Sequence, residues 1–258
     1  MKITKRPQGI IFDLDGTLAD TLPQLELAAR QACMEVGLRA PDTEQAKSYV
    51  GNGVTLLLSR VACGGKRVRE HDAPFDLEHL TQGAALSADG EQSHEVTPED
   101  IDPSLLKKLR IEFNRFYSAG LHENFKLYPG VKEGLSFFKQ QGIKLAVCTN
   151  KPQMFAVPLL RFMGIYDCFD FILGGEVLAQ RKPDPAPVLY VCGRLGLYPQ
   201  QCVMVGDSEN DVFAGQRALM PSVFFTYGYF TGDPATISPD HEFDDFRDFK
   251  NLISDLRN

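Results

Sequence analysis

A chain of 258 residues with 43% hydrophobic and 24% charged residues has the composition of an ordinary globular protein. No apolar run approaches the length needed to cross a membrane, and no basic stripe with interleaved aromatic residues predicts a nucleic-acid surface. The six cysteines are scattered without a Cys-x-x-Cys pair, which favours reduced thiols over a disulfide framework or a zinc site. We therefore expect a cytoplasmic protein with neither a membrane nor a nucleic-acid partner.

The net charge of −7 is concentrated in one segment. Residues 64–102 contain ten acidic and three basic residues, so the rest of the chain sums to zero. This stretch has little hydrophobic periodicity, which predicts a long polar insert. A contact with a partner or with a second copy is one hypothesis for it, and the sequence is compatible with both a monomer and a homodimer.

The first predicted element is a buried strand at residues 9–12, with the sequence Gly-Ile-Ile-Phe. Asp13 and Asp15 follow it directly, within the segment Asp-Leu-Asp-Gly-Thr. Two carboxylates at the end of a buried strand lose solvation, so a cation or several hydrogen bonds must compensate them. Gly16 allows a sharp backbone turn, and Thr17 supplies a hydroxyl. The alternative is an acidic turn without chemistry.

Helical periodicity follows this motif. Residues 21–24 have the form of a capping box with proline at the first helical position, and Gly37 ends the helix that they begin. Two shorter helices flank the Gly-Asn-Gly break at residues 51–53, and a further helix is predicted at about 105–117.

From Tyr128 onward, predicted helices and strands alternate. The strands are expected at 144–148, 169–173, 202–205 and 222–225, and the helices at 131–141, 152–163, 187–195 and 211–219. This alternation predicts a parallel sheet with helices on both faces. We therefore predict a Rossmann-like α/β core formed by residues 1–17 and 125–258, with a helical domain inserted at residues 18–124.

Ligands of such a sheet bind beyond the carboxyl ends of its strands. The polar residues expected at this edge are Asp13, Asp15, Thr149, Asn150, Lys182, Asp207 and Asp211. Three of them, Asp13, Asp15 and Asp207, predict a site of hard oxygen ligands for Mg²⁺. Lys182 suits a phosphate group, which these carboxylates would otherwise repel.

This combination resembles the phosphatases of the haloacid dehalogenase superfamily. Their four motifs are present in order, as Asp13-Leu14-Asp15-Gly16-Thr17, Thr149-Asn150, Lys182-Pro183, and Gly206-Asp207 with Asp211. The resemblance implies that Asp13 is the nucleophile that forms an aspartyl-phosphate. It implies that Asp15 is the general acid and later the base, and that its backbone carbonyl binds Mg²⁺ beside the side chains of Asp13 and Asp207.

The same resemblance assigns the supporting residues. Thr149, Asn150 and Lys182 are implied to bind the substrate, and Lys182 also to take part in catalysis. Asp211 and Thr17 are implied to lie behind the metal ligands, with Asp211 orienting a water molecule or Lys182.

Within the superfamily, the chain is most similar to the bacterial phosphoglycolate phosphatases with a C1-type helical cap. The similar segments are residues 49–53, 149–152, 206–211 and 226–229. The resemblance implies a small-molecule phosphomonoester as partner and Mg²⁺-dependent hydrolysis of 2-phosphoglycolate to glycolate and phosphate. Gly51 and Asn52 either present N–H groups to the substrate carboxylate or simply break a helix.

Other functions stay open from the sequence alone. A phosphatase of another small metabolite, such as a sugar phosphate or a nucleotide, would use the same mechanism with a different cap. A phosphomutase would need a cap that excludes water. A non-catalytic phosphometabolite-binding protein is the alternative outside enzymology, although all four motifs are intact.

Overall fold

The computed structural model describes residues 1–63 and 101–256. Their core is a six-stranded parallel sheet in the order β5-β4-β1-β6-β7-β8. Its strands are β1 (Gly9–Phe12), β4 (Lys144–Pro152), β5 (Phe171–Gly175), β6 (Cys202–Gly206), β7 (Ser222–Phe225) and β8 (His241–Phe243). The predicted α/β class with a parallel sheet is confirmed.

Strand β1 lies in the middle of this sheet. It pairs with β4 on one side and β6 on the other, so that Phe12 aligns with both Val147 and Val205. All four residues of β1 are buried, which explains its uninterrupted apolar sequence. The chain therefore leaves β1 beside the carboxyl ends of two other strands.

Helices cover both faces of the sheet. They are α5 (Val131–Gln140), α6 (Gln153–Phe162), α7 (Ala186–Leu195), α8 (Glu209–Arg217) and α9 (Phe246–Asp255). On one face, α5, α6 and α9 pack in a core whose centre is a group of aromatic rings, Phe12, Phe138, Phe225, Phe246 and Phe249. On the other face, α7 and α8 pack on Ile11 and Met204. Burying each of these large side chains contributes about 1.5–3 kcal/mol.

Among the described residues, four helices lie between β1 and α5. They are α1 (Leu22–Val36), α2 (Thr43–Tyr49), α3 (Val54–Ala62) and α4 (Pro103–Gly120), and α1 packs against α4. A short antiparallel pair joins the two connections to the sheet, β2 (Ala19–Asp20) with β3 (Lys126–Leu127). The boundaries proposed at 17/18 and 124/125 fall beside this pair, and the division into two domains stays a prediction.

The predicted polar insert lies outside the described residues, except for Ile101 and Asp102. Ile101 is buried, and the side chain of Asp102 accepts a hydrogen bond from the Ser104 N–H at the start of α4. Within the described ranges, none of the helices combines the length and apolarity that a membrane crossing requires.

Candidate active site

Asp13 stands where β1 ends. Its N–H donates to the Val205 carbonyl at 2.9 Å, which continues the β1–β6 ladder and fixes the backbone. Its Oδ1 accepts the Leu14 N–H at 2.7 Å and lies 3.1 Å from Lys182 Nζ. Burial raises the pKa of Asp13 to about 6; Lys182 opposes this shift, whereas the nearby carboxylates of Asp211 and Asp15 add to it.

The turn after Asp13 depends on Gly16. Its φ of 81° is left-handed, and a Cβ there would lie 2.2 Å from Asp207 Oδ2. The next residue, Thr17, donates its hydroxyl to Asp207 Oδ1 at 2.6 Å. The Asp-Leu-Asp-Gly-Thr turn thus fits directly against the carboxylate that follows β6.

Lys182 is almost completely buried, with 1% of its side chain exposed. Its Nζ contacts Asp211 Oδ1 at 2.6 Å, the Cys148 carbonyl at 2.6 Å and Asp13 Oδ1 at 3.1 Å. Burial lowers the pKa of this ammonium, but Asp13 and Asp211 outweigh burial and raise it above its ordinary value. Lys182 is therefore a fixed positive charge beside the predicted nucleophile.

Three buried carboxylates meet at this edge of the sheet. Oxygens of Asp13, Asp207 and Asp211 lie within 4.8 Å of one another. Burial, with Asp211 and Asp13 adding, raises the pKa of Asp207 well above its ordinary value. Since Lys182 is the one ammonium that contacts this group in the described part of the chain, the buried negative charge is in excess. The oxygen donors and their charge fit a divalent cation.

The three clustered carboxylates, of Asp13, Asp207 and Asp211, differ in one member from the predicted metal ligands, Asp13, Asp15 and Asp207. The side chain of Asp15 is not among the three clustered carboxylates, which leaves its backbone carbonyl as the predicted ligand. Asp211 lies within the cluster, although the resemblance placed it behind the metal ligands. Its Oδ2 also accepts the Ser208 N–H at 3.1 Å and hydroxyl at 2.6 Å, which caps α8.

The side chain of Asp15 turns instead toward Thr21, which precedes α1, and toward Lys151, near the end of β4. Its Oδ1 accepts the Thr21 hydroxyl at 2.6 Å, and its two oxygens lie 2.9 and 3.0 Å from Lys151 Nζ. The predicted Thr21 capping box is wrong: Thr21 precedes α1 but makes no side-chain cap hydrogen bond. Its hydroxyl binds the acid of the first motif, a tertiary contact that local sequence does not reveal.

Two tyrosines from the segment 226–229, Tyr227 and Tyr229, hold the same turn. The Tyr229 hydroxyl accepts the N–H groups of Thr21 and Leu22 at 2.6 and 2.9 Å and donates to Asp20 Oδ1 at 2.8 Å. Its backbone N–H donates to Asp207 Oδ2 at 2.8 Å. Nearby, the Tyr227 hydroxyl donates to the Thr17 carbonyl at 2.8 Å.

Asn150 binds the protein backbone, and its predicted contact with the substrate stays a prediction. Its amide group donates to the Lys182 carbonyl at 2.9 Å and to the Gly51 carbonyl at 3.0 Å, while its oxygen accepts the Lys182 N–H at 3.1 Å. Because both ends of this side chain bind the protein backbone, Asn150 holds Lys182 and the inserted loop in place. Thr149 is buried, and its Oγ1 accepts the Lys151 N–H at 3.2 Å.

The loop before α3 borders the site. Gly51 and Gly53 have left-handed φ values of 109° and 83°, and Gly53 precedes the first helical residue, Val54. The buried Asn52 accepts a hydrogen bond from Arg60 Nη1 at 3.2 Å. This geometry brings the loop to the carboxylates, and its predicted contact with the substrate stays a prediction.

Two cavities meet at Asp13 and Asp15. The first is mostly apolar and is lined by Asp13, Asp15, Leu25, Val50, Gly51, Gly53, Val54, Leu57, Thr149, Asn150 and Lys151. The second is polar and extends between the Gly51–Asn52 loop, Asp207 and the segment 229–232. A ligand bound at Asp13 would therefore touch both the sheet edge and the inserted helices.

Comparison with known proteins agrees with this arrangement. The family model of the haloacid dehalogenase-like hydrolases matches residues 7–218. The chain belongs to this family. This hydrolase is 36% identical to a phosphoglycolate phosphatase of Haemophilus influenzae, over 94% of its own length and 96% of that protein. It is 35% identical to a phosphoglycolate phosphatase of Thiobacillus denitrificans, over 89% of this chain and 87% of that protein.

A solved structure gives the same fold. The crystal structure of a predicted phosphoglycolate phosphatase from Haemophilus somnus superposes on this hydrolase with a TM-score of 0.80 and 34% identity. The alignment covers 97% of this chain and 99% of the other. The inferred membership of the superfamily, drawn from four short motifs, is confirmed.

Proposed function

We propose that this hydrolase is a Mg²⁺-dependent phosphatase that cleaves 2-phosphoglycolate into glycolate and phosphate. The observation that carries the proposal is the position of Lys182, which contacts Asp13 and Asp211 inside a group of three buried carboxylates. The three carboxylates can hold a cation. That cation and Lys182 would together supply the positive charge that a phosphate dianion needs next to the carboxylate of Asp13. The names of the relatives support 2-phosphoglycolate as the substrate.

In the proposed reaction, a carboxylate oxygen of Asp13 bonds to phosphorus while the bond from phosphorus to the glycolate oxygen breaks. Asp15 gives its proton to that leaving oxygen. Water then attacks the phosphorus of the aspartyl-phosphate, and Asp15 takes the proton that the water loses. Inorganic phosphate leaves, and the carboxylate of Asp13 is restored.

The surrounding residues orient these groups. The Leu14 N–H and Lys182 fix Asp13 Oδ1, whereas the Thr21 hydroxyl and Lys151 hold the carboxylate of Asp15. Bound Mg²⁺, with Asp13, Asp207 and the Asp15 carbonyl as proposed ligands, would reduce the repulsion between these carboxylates and the phosphate. Thr17 and the Tyr229 N–H hold Asp207 in place for that role.

The test is phosphate release from a panel of phosphomonoesters, with Mg²⁺ and with chelator, using Asp13→Asn as the blank. The panel contains 2-phosphoglycolate, hexose phosphates, pyridoxal phosphate and nucleotides. We expect Mg²⁺-dependent turnover, with kcat/KM for 2-phosphoglycolate about a hundredfold above the other substrates, equivalent to about 2.7 kcal/mol. Similar kcat/KM values across the panel would contradict 2-phosphoglycolate as the substrate. The absence of turnover with Mg²⁺ would contradict the proposed phosphatase activity.

The proposed setting is the cytoplasm, with the small phosphomonoester as partner. A monomer and a homodimer remain alternative predictions, which the mass in solution distinguishes.

A further inference from the structure

Lys151 is a buried cation beside the site that the family motifs leave without a role. It lies at the carboxyl end of β4, directly after Thr149 and Asn150, and only 2% of its side chain is exposed. A lysine in this setting loses most of its hydration and is rarely found without a charged partner. Its recorded ionic partner is Asp15, at 2.9 and 3.0 Å.

Packing fixes the position of this ammonium. Lys151 Nζ lies 4.8 Å from the centre of the Tyr117 ring, which α4 supplies from the inserted segment. Tyr117 is itself held by an edge-to-face contact with Phe155, at 4.9 Å between ring centres, and by stacking on Phe113 at 5.4 Å. The charge therefore sits at a defined point between the sheet and α4.

Lys151 also lines the first cavity, the mostly apolar one at Asp13. Its other walls include Leu25, Val54 and Leu57 from the inserted helices. Among the described residues lining this cavity, Lys151 alone carries a positive charge. A second negative group on a ligand whose phosphate reaches Asp13 would need a positive charge at this end of the cavity. The other polar walls, including the Gly51–Gly53 loop that is predicted to contact the substrate, are neutral or acidic.

We infer that Lys151 binds the carboxylate of the substrate, and that it selects small phosphomonoesters bearing a carboxylate close to the phosphate. The inference rests on the proposed function and names the residue behind its substrate preference. On binding, the ammonium shares its donors between the substrate carboxylate and Asp15. The leucine and valine walls limit the group between phosphate and carboxylate to a short carbon chain.

Lys182 does not fill this role. Its three donor positions are directed to Asp211, the Cys148 carbonyl and Asp13, at distances of 2.6 to 3.1 Å. Lys47 and Arg60 line the second, polar cavity rather than the first. A carboxylate bound there would make Lys151 a positioning residue for Asp15 only, and this is the rival outcome that the experiment must separate.

The experiment compares two substrates of nearly equal size, 2-phosphoglycolate and 2-hydroxyethyl phosphate, in the presence of Mg²⁺. The second has a CH₂OH group in place of the carboxylate. The readout is the ratio of their kcat/KM values, because a change in Asp15 alone affects both substrates alike and leaves the ratio unchanged. In the wild type we expect a ratio above about a hundred.

Lys151→Met removes the charge and keeps an unbranched side chain. We expect the ratio to fall by about thirtyfold or more, and Lys151→Arg to retain most of it. The matched control is Lys144→Met, an exposed lysine at the other end of β4 whose Nζ donates to the Leu195 carbonyl. It should leave both values unchanged.

An unchanged ratio in Lys151→Met, with both substrates slowed equally, would overturn the inference and leave Lys151 as a positioning residue. Circular dichroism and thermal melting show whether the variant is folded. If the variant is unfolded, the kcat/KM ratio of the wild type tests the inference instead. A wild-type ratio below about ten would mean that the enzyme does not recognise the substrate carboxylate, which would overturn the inference. Failure of the proposed function is a separate result, in which the wild type prefers hexose phosphates or nucleotides.

Discussion

Removing one hydroxyl, that of Tyr229, should destabilise the turn that leads from the first motif into α1. In Tyr229→Phe, the buried N–H of Thr21 loses the acceptor recorded for it at 2.6 Å, whereas the Leu22 N–H keeps Asp20 Oδ1 at 3.2 Å. One buried donor without a partner costs about 1–3 kcal/mol. For a chain of this size, that lowers Tm by about 2–12 °C.

The assay is urea or thermal unfolding of Tyr229→Phe beside Tyr198→Phe. Tyr198 is 75% exposed, so its variant should stay within about 0.5 kcal/mol of the wild type. We also expect a lower kcat for Tyr229→Phe, because Thr21 holds the carboxylate of Asp15. Equal unfolding free energies for the two variants would refute the reasoning from the unpaired donor.

Three further outcomes are expected. Mg²⁺ at about a hundred times its Kd should raise the unfolding free energy by about 2.7 kcal/mol, and Asp207→Asn should lose most of this gain in the same titration. Gly16→Ala should abolish phosphate release and lower Tm, because its Cβ would meet Asp207 Oδ2 at 2.2 Å; Gly37→Ala, at a similar φ but with open space around it, should keep activity. His241 Nε2 accepts the Ile3 N–H at 3.0 Å, and burial lowers the pKa of its ring below 6.5. The unfolded chain therefore binds a proton at His241 more readily than the folded chain does. The stability that the neutral His241 ring contributes is complete above pH 6.5 and declines as the pH falls further. A His241→Phe variant whose Tm changes with pH as the wild-type Tm does would contradict this.

Much of the sheet could be predicted because most of its strands are apolar and buried. The range predicted for β1 matches residue by residue, and β4, β6 and β7 begin where their apolar runs begin. Strand β5 begins at Phe171, two residues later than predicted, and the other exceptions are short. Strands of two or three residues, such as β2, β3 and β8, carry too little periodicity to be recognised.

The candidate site also has a part that the sequence could predict and a part that it could not. Asp13, Lys182 and Asp207 could be found because motifs at the ends of parallel strands must converge at one edge. The contacts of Asp15 with Thr21 and Lys151 could not, because strand order places a residue at the sheet edge but does not set the direction in which its side chain turns. Thr21 illustrates the difficulty: its local sequence is that of a helix cap, but its hydroxyl binds Asp15 instead of the helix.

The central place of β1 in the sheet has a consequence for biosynthesis. β1 is made first, yet its two neighbours, β4 and β6, end only at residues 152 and 206. On the ribosome, the strand that precedes Asp13 therefore has both edges unpaired until β4 and β6 have been synthesised. The site closes only once Asp207 and then Tyr229 have emerged, so a nascent chain cannot gain activity gradually. Chains that end before β6 would leave one edge of the apolar strand β1 unpaired. Such an exposed edge can bind chaperones or lead to aggregation.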